Sequence, residues 1–180
     1  MQEVEVKILE INKQELIEKL GHFGAEFVEQ VKIHDKQFDF PDHRIKNADE
    51  LFRLRAIGDR VEMAYKDGQR YENNFRIQEE TQITVSDFAT TEAILKKLGF
   101  AVGYNREKIR TSFKKGNVRF EIDQYPNIPP YIEMEGPQEE IKAAVEALGF
   151  TMADTTDMTA TGVFKHYGLD PTLVTFDSSL

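Results

Sequence analysis

The chain has no cysteine. Disulfides and thiolate chemistry are therefore excluded, and the absence fits a reducing cytoplasm. No stretch approaches the roughly 18 consecutive apolar residues of a membrane span, and the N-terminus lacks the apolar run of a secretory signal. Histidine is scarce: His22, His34, His43 and His166 are scattered without metal-ligand spacing and read as surface or packing residues. With cysteine missing too, a dedicated zinc site is disfavoured. The phosphate-loop pattern G-x-x-x-x-G-K-[ST], the dinucleotide pattern G-x-G-x-x-G and the nucleophile elbow G-x-S-x-G are all absent, which removes three common catalytic frames. There is no long internal repeat and no low-complexity segment.

What remains is a 180-residue chain, 40% hydrophobic and 31% charged, enough for one domain with a sizeable core. The net charge is −9, from 32 acids and 23 bases. Such an excess repels nucleic acid and anionic membranes unless the bases are gathered in one place.

The pattern along the chain gathers them. Residues 2–8 read QEVEVKI, with Val4, Val6 and Ile8 alternating with Glu3, Glu5 and Lys7. Alternation of this kind describes a strand with one apolar and one charged face. A capping pair at Asn12 and Glu15 then opens a helix with the stripe Leu16, Ile17, Leu20 and Phe23. A second strand region covers about 27–40, and 42–50 read as a polar loop. Two strands flank the Gly58-Asp59 turn, and Asp67-Gly68 reads as a further turn. A strand at about 74–86 leads to a helix ending at Leu98. A hairpin turns at Lys115-Gly116-Asn117, the YPNIPP turn follows, and the strand YIEMEG precedes a helix over 138–148. A short helix is expected at about 159–167, and the last dozen residues read as a poorly anchored tail. About eight strands, mostly in hairpins, with three or four helices, predict an antiparallel sheet or closed barrel with helices outside.

Six further strands repeat the opening pattern. Arg53 and Arg55 share one face, as do Glu62 and Lys66, and so do Arg76, Gln78, Glu80 and Gln82. Arg106, Lys108, Arg110 and Lys114 align on the next, then Arg119, Glu121 and Asp123, then Glu133 and Glu135. One such strand describes an ordinary sheet with a wet face. Seven of them, rich in arginine rather than in Ser, Thr and Asn, point to a barrel whose lumen is charged and whose apolar faces meet the helices. About eight strands enclose room for one small ligand. Eight acids (Glu3, Glu5, Glu62, Glu80, Glu121, Asp123, Glu133, Glu135) stand against eight bases (Lys7, Arg53, Arg55, Lys66, Arg76, Lys108, Arg110, Arg119). The bases suit oxyanions. The i, i+2 carboxylate pairs Glu3/Glu5, Glu121/Asp123 and Glu133/Glu135 suit a hard divalent ion, Mg²⁺ or Mn²⁺.

These residues resemble a known family. Glu3-Val-Glu5-Val-Lys7 is similar to the E-x-E-x-K signature of the CYTH superfamily, which contains class IV adenylyl cyclases, thiamine triphosphatases and inorganic triphosphatases. The later elements follow in order: Leu-Arg53-Leu-Arg55, Lys66, Glu80, Lys108-Ile-Arg110, Glu121-Ile-Asp123 and Ile-Glu133-Met-Glu135-Gly136. The resemblance covers about residues 1–168, leaving 169–180 as a tail. It implies an α+β fold built on an eight-stranded antiparallel β-barrel that binds triphosphate with Mg²⁺ or Mn²⁺. Lys7, Arg53, Arg55, Lys66, Lys108 and Arg110, with Arg76 and Arg119, would hold phosphate oxygens. Glu3, Glu5, Glu80, Glu121, Asp123, Glu133 and Glu135 would serve the metal, and Glu3, Glu5 and Lys7 form the expected catalytic group. Gln82 departs from the pattern, because many relatives carry a second acid there. Lys165 reads as a surface lysine.

The resulting expectation is a metal-dependent hydrolase of an organic or inorganic triphosphate. The alternatives are a cyclase making cyclic AMP and pyrophosphate from ATP, and a non-catalytic nucleotide or polyphosphate binder. The expected partner is a small-molecule triphosphate, with no membrane, nucleic acid disfavoured, and a homodimer left open.

Overall fold

The computed structural model describes residues 2–176. Among the described residues there are nine strands: β1 (Gln2–Ile8), β2 (Glu26–Asp39), β3 (Leu51–Ile57), β4 (Arg60–Glu72), β5 (Phe75–Val85), β6 (Ala101–Lys115), β7 (Val118–Gln124), β8 (Tyr131–Glu135) and β9 (Leu173–Val174). The helices are α1 (Lys13–Phe23), α2 (Arg44–Asn47), α3 (Phe88–Lys97), α4 (Gln138–Ala147) and α5 (Ala160–His166). The first eight strands pair antiparallel in the order β2-β3-β4-β5-β1-β8-β7-β6, and β6 pairs back onto β2 to close a barrel. β9 lies outside it, parallel to β6 at Asn105 and Arg106.

Local signals set the element ends. Asn12 accepts from the backbone N–H groups of Gln14 and Glu15 and donates to the Glu15 carboxylate, so α1 begins where the sequence places it. Gly24, at φ +79°, closes α1. Gly136 is the tightest constraint. It has φ +154°, and a Cβ there would stand 2.7 Å from the Asn117 carbonyl oxygen. Only glycine lets the end of β8 lie this close to the β6–β7 turn.

Period-2 alternation decides what each wall faces. Outward residues of β1, β5, β7 and β8 (Val6, Ile77, Phe120, Ile132 and Met134 among them) pack against Leu16 and Leu20 of α1 and Ile141, Ala144 and Val145 of α4. On the other side, Phe38 and Leu54 pack against Leu95 of α3. The main hydrophobic clusters thus lie outside the barrel wall, and burial there drives folding at about 25 cal/mol per Å² of apolar surface.

Three expectations are corrected. Asp67-Gly68 is not a turn: β4 runs on to Glu72, and its pairing with β5 shifts register between Asp67 and Arg70. A glycine at positive φ serves a bulge as readily as a turn. The chain reverses instead at Asn73 and Asn74, both at positive φ, a geometry that asparagine tolerates. The 42–50 segment holds the short helix α2, whose Ile45 and Lys46 amides are held by Asp39. The C-terminal segment through residue 176 is anchored: β9 pairs with β6, Arg106 donates to the Pro171 carbonyl, and the Phe176 amide donates to Glu107. Residues 177–180 of the expected tail lie outside the described residues.

Candidate active site

The inward parity of the barrel strands lines a cavity of about 770 Å³. Its wall brings together Glu3, Glu5, Lys7, Arg53, Arg55, Lys66, Arg76, Glu80, Lys108, Arg110, Arg119, Glu121, Glu133 and Glu135. Arg119 stands at the rim with a 60% exposed side chain. Asp123 is not at the cavity surface; it is fully buried behind Lys108 and Arg110. Arg106 is spent on the Pro171 carbonyl and Thr161, fixing the C-terminal segment and α5 to the end of the barrel. Lys165 is exposed and outside the lining.

Strand register dictates the ion pairs. Glu5 faces Arg76 on β5 and Glu135 on β8, while Lys7 faces Glu133. Arg76 accordingly donates to Glu5 at 2.8 Å and to Gln78 at 2.7 Å, and Gln78 donates to Glu3 at 2.7 Å. Lys66 bridges Glu3 and Glu80. Lys7 lies between Glu5 and Glu133, 2.8 Å from the latter. Arg110 forks onto Asp123 at 2.6 and 2.7 Å and also binds Glu121, while Lys108 reaches Asp123 at 2.6 Å. Asp35 of β2 holds Arg55 more loosely, at 3.4 and 3.5 Å. Burying this many charges is costly unless they pair, and the lumen is an interlocked ionic lattice in which nearly every acid has a base.

The lattice shifts proton affinities. Burial opposes the charge of Lys7, but Glu133 and Glu5 outweigh it and hold the ammonium protonated above its ordinary range. Lys108 goes the other way: burial and the neighbouring Arg110 bring it down to about 7, and Asp123 does not compensate. Burial also opposes the charge of Glu133, yet Lys7 and Arg110 keep it well below the usual carboxylate range. Among the described residues, Glu135 has no ion pair within contact distance. Burial, then Glu3 and Glu133, push it up to about 7.

The donor set is chemically suited to a hard divalent cation, being carboxylate only. Burial, reinforced by Glu3 and Glu133, favours the protonated form of Glu135, and a cation would stand where that proton does. The geometry is not preassembled. Among the described residues, no three acidic or imidazole side chains cluster as ready ligands, because lysines occupy Glu3, Glu5 and Glu133.

Several lining residues escape the sequence pattern: Asp35, Gln37, Tyr125, Tyr131 and the aliphatic pair Val31 and Ile33. In β2 both parities are polar, since His34 and Lys36 alternate with Asp35 and Gln37, so neither face stands out. Tyr125 and Tyr131 share the parity of Asp123 and Glu133, a signal masked by the proline-rich turn between them.

The family model described as CYTH domain matches residues 1–156. A protein of Methanocaldococcus jannaschii, provisionally named an adenylate cyclase, is 28% identical over 135 residues, covering 75% of this chain and 77% of the relative. A Pyrococcus horikoshii protein of known structure superposes with a TM-score of 0.77 at 23% identity, covering 89% of this chain and 98% of that one. A Hippeastrum protein, provisionally named an adenylyl cyclase and described as having a dominant triphosphatase activity, superposes with a TM-score of 0.70 at 12% identity, covering 94% and 98%. These two likenesses speak for the fold.

Proposed function

The chain belongs to the CYTH domain family, and on that premise we propose that it is a divalent-metal-dependent enzyme hydrolysing an organic or inorganic triphosphate. The observation that carries this reading is a set of guanidinium groups with unspent donors inside a closed barrel. Among the described residues, the Nε of Arg53 and of Arg76 are buried with no hydrogen-bond partner, and Arg55 is only loosely held by Asp35. Such donors suit the non-bridging oxygens of a polyphosphate.

Phosphoryl transfer needs alignment and charge neutralisation more than covalent help from the protein. Arg53, Arg55, Arg76 and Lys66 would grip the phosphates, with Lys108 and Arg110 beside them and Arg119 at the rim. Glu3, Glu5, Glu133 and Glu135 would hold Mg²⁺ or Mn²⁺, which when bound supplies further neutralisation of phosphate oxygens. Glu80 and Glu121 would orient that set, and Asp123 fixes Lys108 and Arg110 from behind. Lys7 keeps its proton and holds Glu5 and Glu133 in place, and one of the carboxylates Glu3, Glu5 or Glu133 would align the attacking water.

The test supplies purified protein and Mg²⁺ or Mn²⁺ with tripolyphosphate, thiamine triphosphate and ATP, resolving the products. Orthophosphate release without cyclic AMP supports hydrolysis. The second reading, cyclisation of ATP, draws on the name of the M. jannaschii relative and on a cavity of about 770 Å³, within the range of ~300–1,000 Å³ that holds a larger organic ligand. Cyclic AMP with pyrophosphate would establish it. Ligand that binds but survives long incubation with metal would mark a binding module instead.

A further inference from the structure

The parity of β4 changes along its length. Lys66 lies opposite Glu80, but beyond the register shift Tyr71 lies opposite Arg76. Residues opposite each other share a face, so the lumen parity is even through Lys66 and odd beyond the shift. The bulge holds one extra residue, with Gly68 at φ +60°. Without it, the lumen position after Lys66 would fall on Gly68, which has no side chain. With it, that position falls on Gln69. Gln69 is half-buried and lines the cavity, whereas Asp67, Gly68 and Arg70 are exposed. A bulge gives up ladder hydrogen bonds, and beside a site it re-aims a side chain.

The Gln69 amide oxygen accepts from Arg76 Nη1 at 3.4 Å. Arginine only donates, so this contact fixes the amide: its oxygen faces the guanidinium and its nitrogen faces away. Among the described residues, Gln69 Nε2 makes no hydrogen bond, and it is not one of the sealed, unpartnered atoms of the interior. Its two N–H groups are therefore accessible at the cavity wall. Arg76 also donates to Gln78 at 2.7 Å and to Glu5 at 2.8 Å. Two of its three partners are neutral amides, and Glu5 is shared with Lys7. The guanidinium charge beside Gln69 is thus only partly offset.

We propose that Gln69 is a substrate-contacting residue, delivered by the β4 bulge, whose amide N–H groups donate to a phosphoryl oxygen next to the one held by Arg76. This rests on the triphosphate reading above and adds a contact to it. A neutral donor gains a hydrogen bond to an oxyanion without adding a charge to a lattice whose acids and bases are already matched.

The test measures binding of inorganic tripolyphosphate, in methylene-bridged, hydrolysis-resistant form with Mg²⁺, by isothermal titration. Gln69→Met removes both polar ends of the side chain and should weaken binding about tenfold, as one hydrogen bond to a charged group implies. The same substitution in an Arg76→Lys background, which keeps a cation against Glu5, should still cost about threefold or more. A smaller loss in either background would overturn the proposal, because in the second it would mean that Gln69 only orients the arginine. Should Arg76→Lys bind too weakly to titrate, Gln69→Lys decides. It keeps a donor but cannot accept from Arg76, so it holds affinity within about threefold of wild type if the contact is direct; a loss equal to that of Gln69→Met would overturn it. Gln69→Met melts within about 2 °C of wild type, as expected of a half-buried residue with one long hydrogen bond; a larger drop would mark a structural role and overturn the proposal. A wild type that bound no tripolyphosphate would refute the triphosphate reading itself, and this inference with it.

Discussion

Replacing Glu135 by Gln should make the ligand-free protein more stable, with a pH dependence that identifies the cause. Burial with Glu3 and Glu133 lifts this carboxyl from 4.5 to about 7. The sign follows from proton counting. Below pH 4.5 both folded and unfolded chains are protonated there, and the group contributes no difference. Between 4.5 and 7 the unfolded chain ionises while the folded one keeps its proton, so stability falls as pH rises. Above 7 the folded state carries the full penalty. A shift from 4.5 to about 7 corresponds to about 3 kcal/mol at most, and relaxation of the partly open site reduces it to roughly 1–3 kcal/mol. Urea denaturation of wild type and Glu135→Gln across pH 4.5 to 8.5 reads this directly. The two coincide at the acid end, and the variant pulls ahead through neutrality to a plateau. Mn²⁺ then narrows the gap: at a hundredfold excess over its Kd it adds about 2.7 kcal/mol to the protein that binds it, and the variant gains less. A variant equal to or weaker than wild type at pH 8 without metal would refute the argument that uncompensated negative charge sits at this position.

Three further outcomes are expected. Arg55→Ala strands the buried Asp35, costing about 3–5 kcal/mol of stability and weakening binding of tripolyphosphate and of ATP in hydrolysis-resistant, methylene-bridged form; paired Arg55→Met, Asp35→Leu regains most of the stability in thermal unfolding but not the binding. Lys108 is held at about 7, so it loses its positive charge as pH rises through neutrality; ligand affinity measured by titration should decline from pH 6 to 8, and Lys108→Arg should flatten that slope. Gly136→Ala forces a Cβ to within 2.7 Å of the Asn117 carbonyl and should lower stability by ~2–4 kcal/mol, read as a shifted denaturation midpoint.

The charged lumen is legible in the sequence because a strand has a period of two, and seven strands keep most ionic and apolar residues on opposite faces. Side chains such as Glu5, Arg55 and Glu135 converge for that reason alone. Which acid meets which base is not legible, since Arg110 finds Asp123 and Lys7 finds Glu133 through barrel register rather than local spacing. Asp35 stays hidden because both faces of β2 are polar. The Asp67-Gly68 misreading has the same origin: local chemistry permits a turn or a bulge, and pairing with β5 selects the bulge. The anchoring of β9 depends on a buried arginine more than sixty residues earlier, beyond the reach of any local pattern.

The barrel wall keeps oil on its outer surface and ions within. Cohesion and selectivity therefore belong to alternate residues of the same strands, so drift in one set need not disturb the other. A lineage built on such a scaffold can exchange one ligand for another by editing interior pairs two at a time while the helix-covered exterior stays as it is.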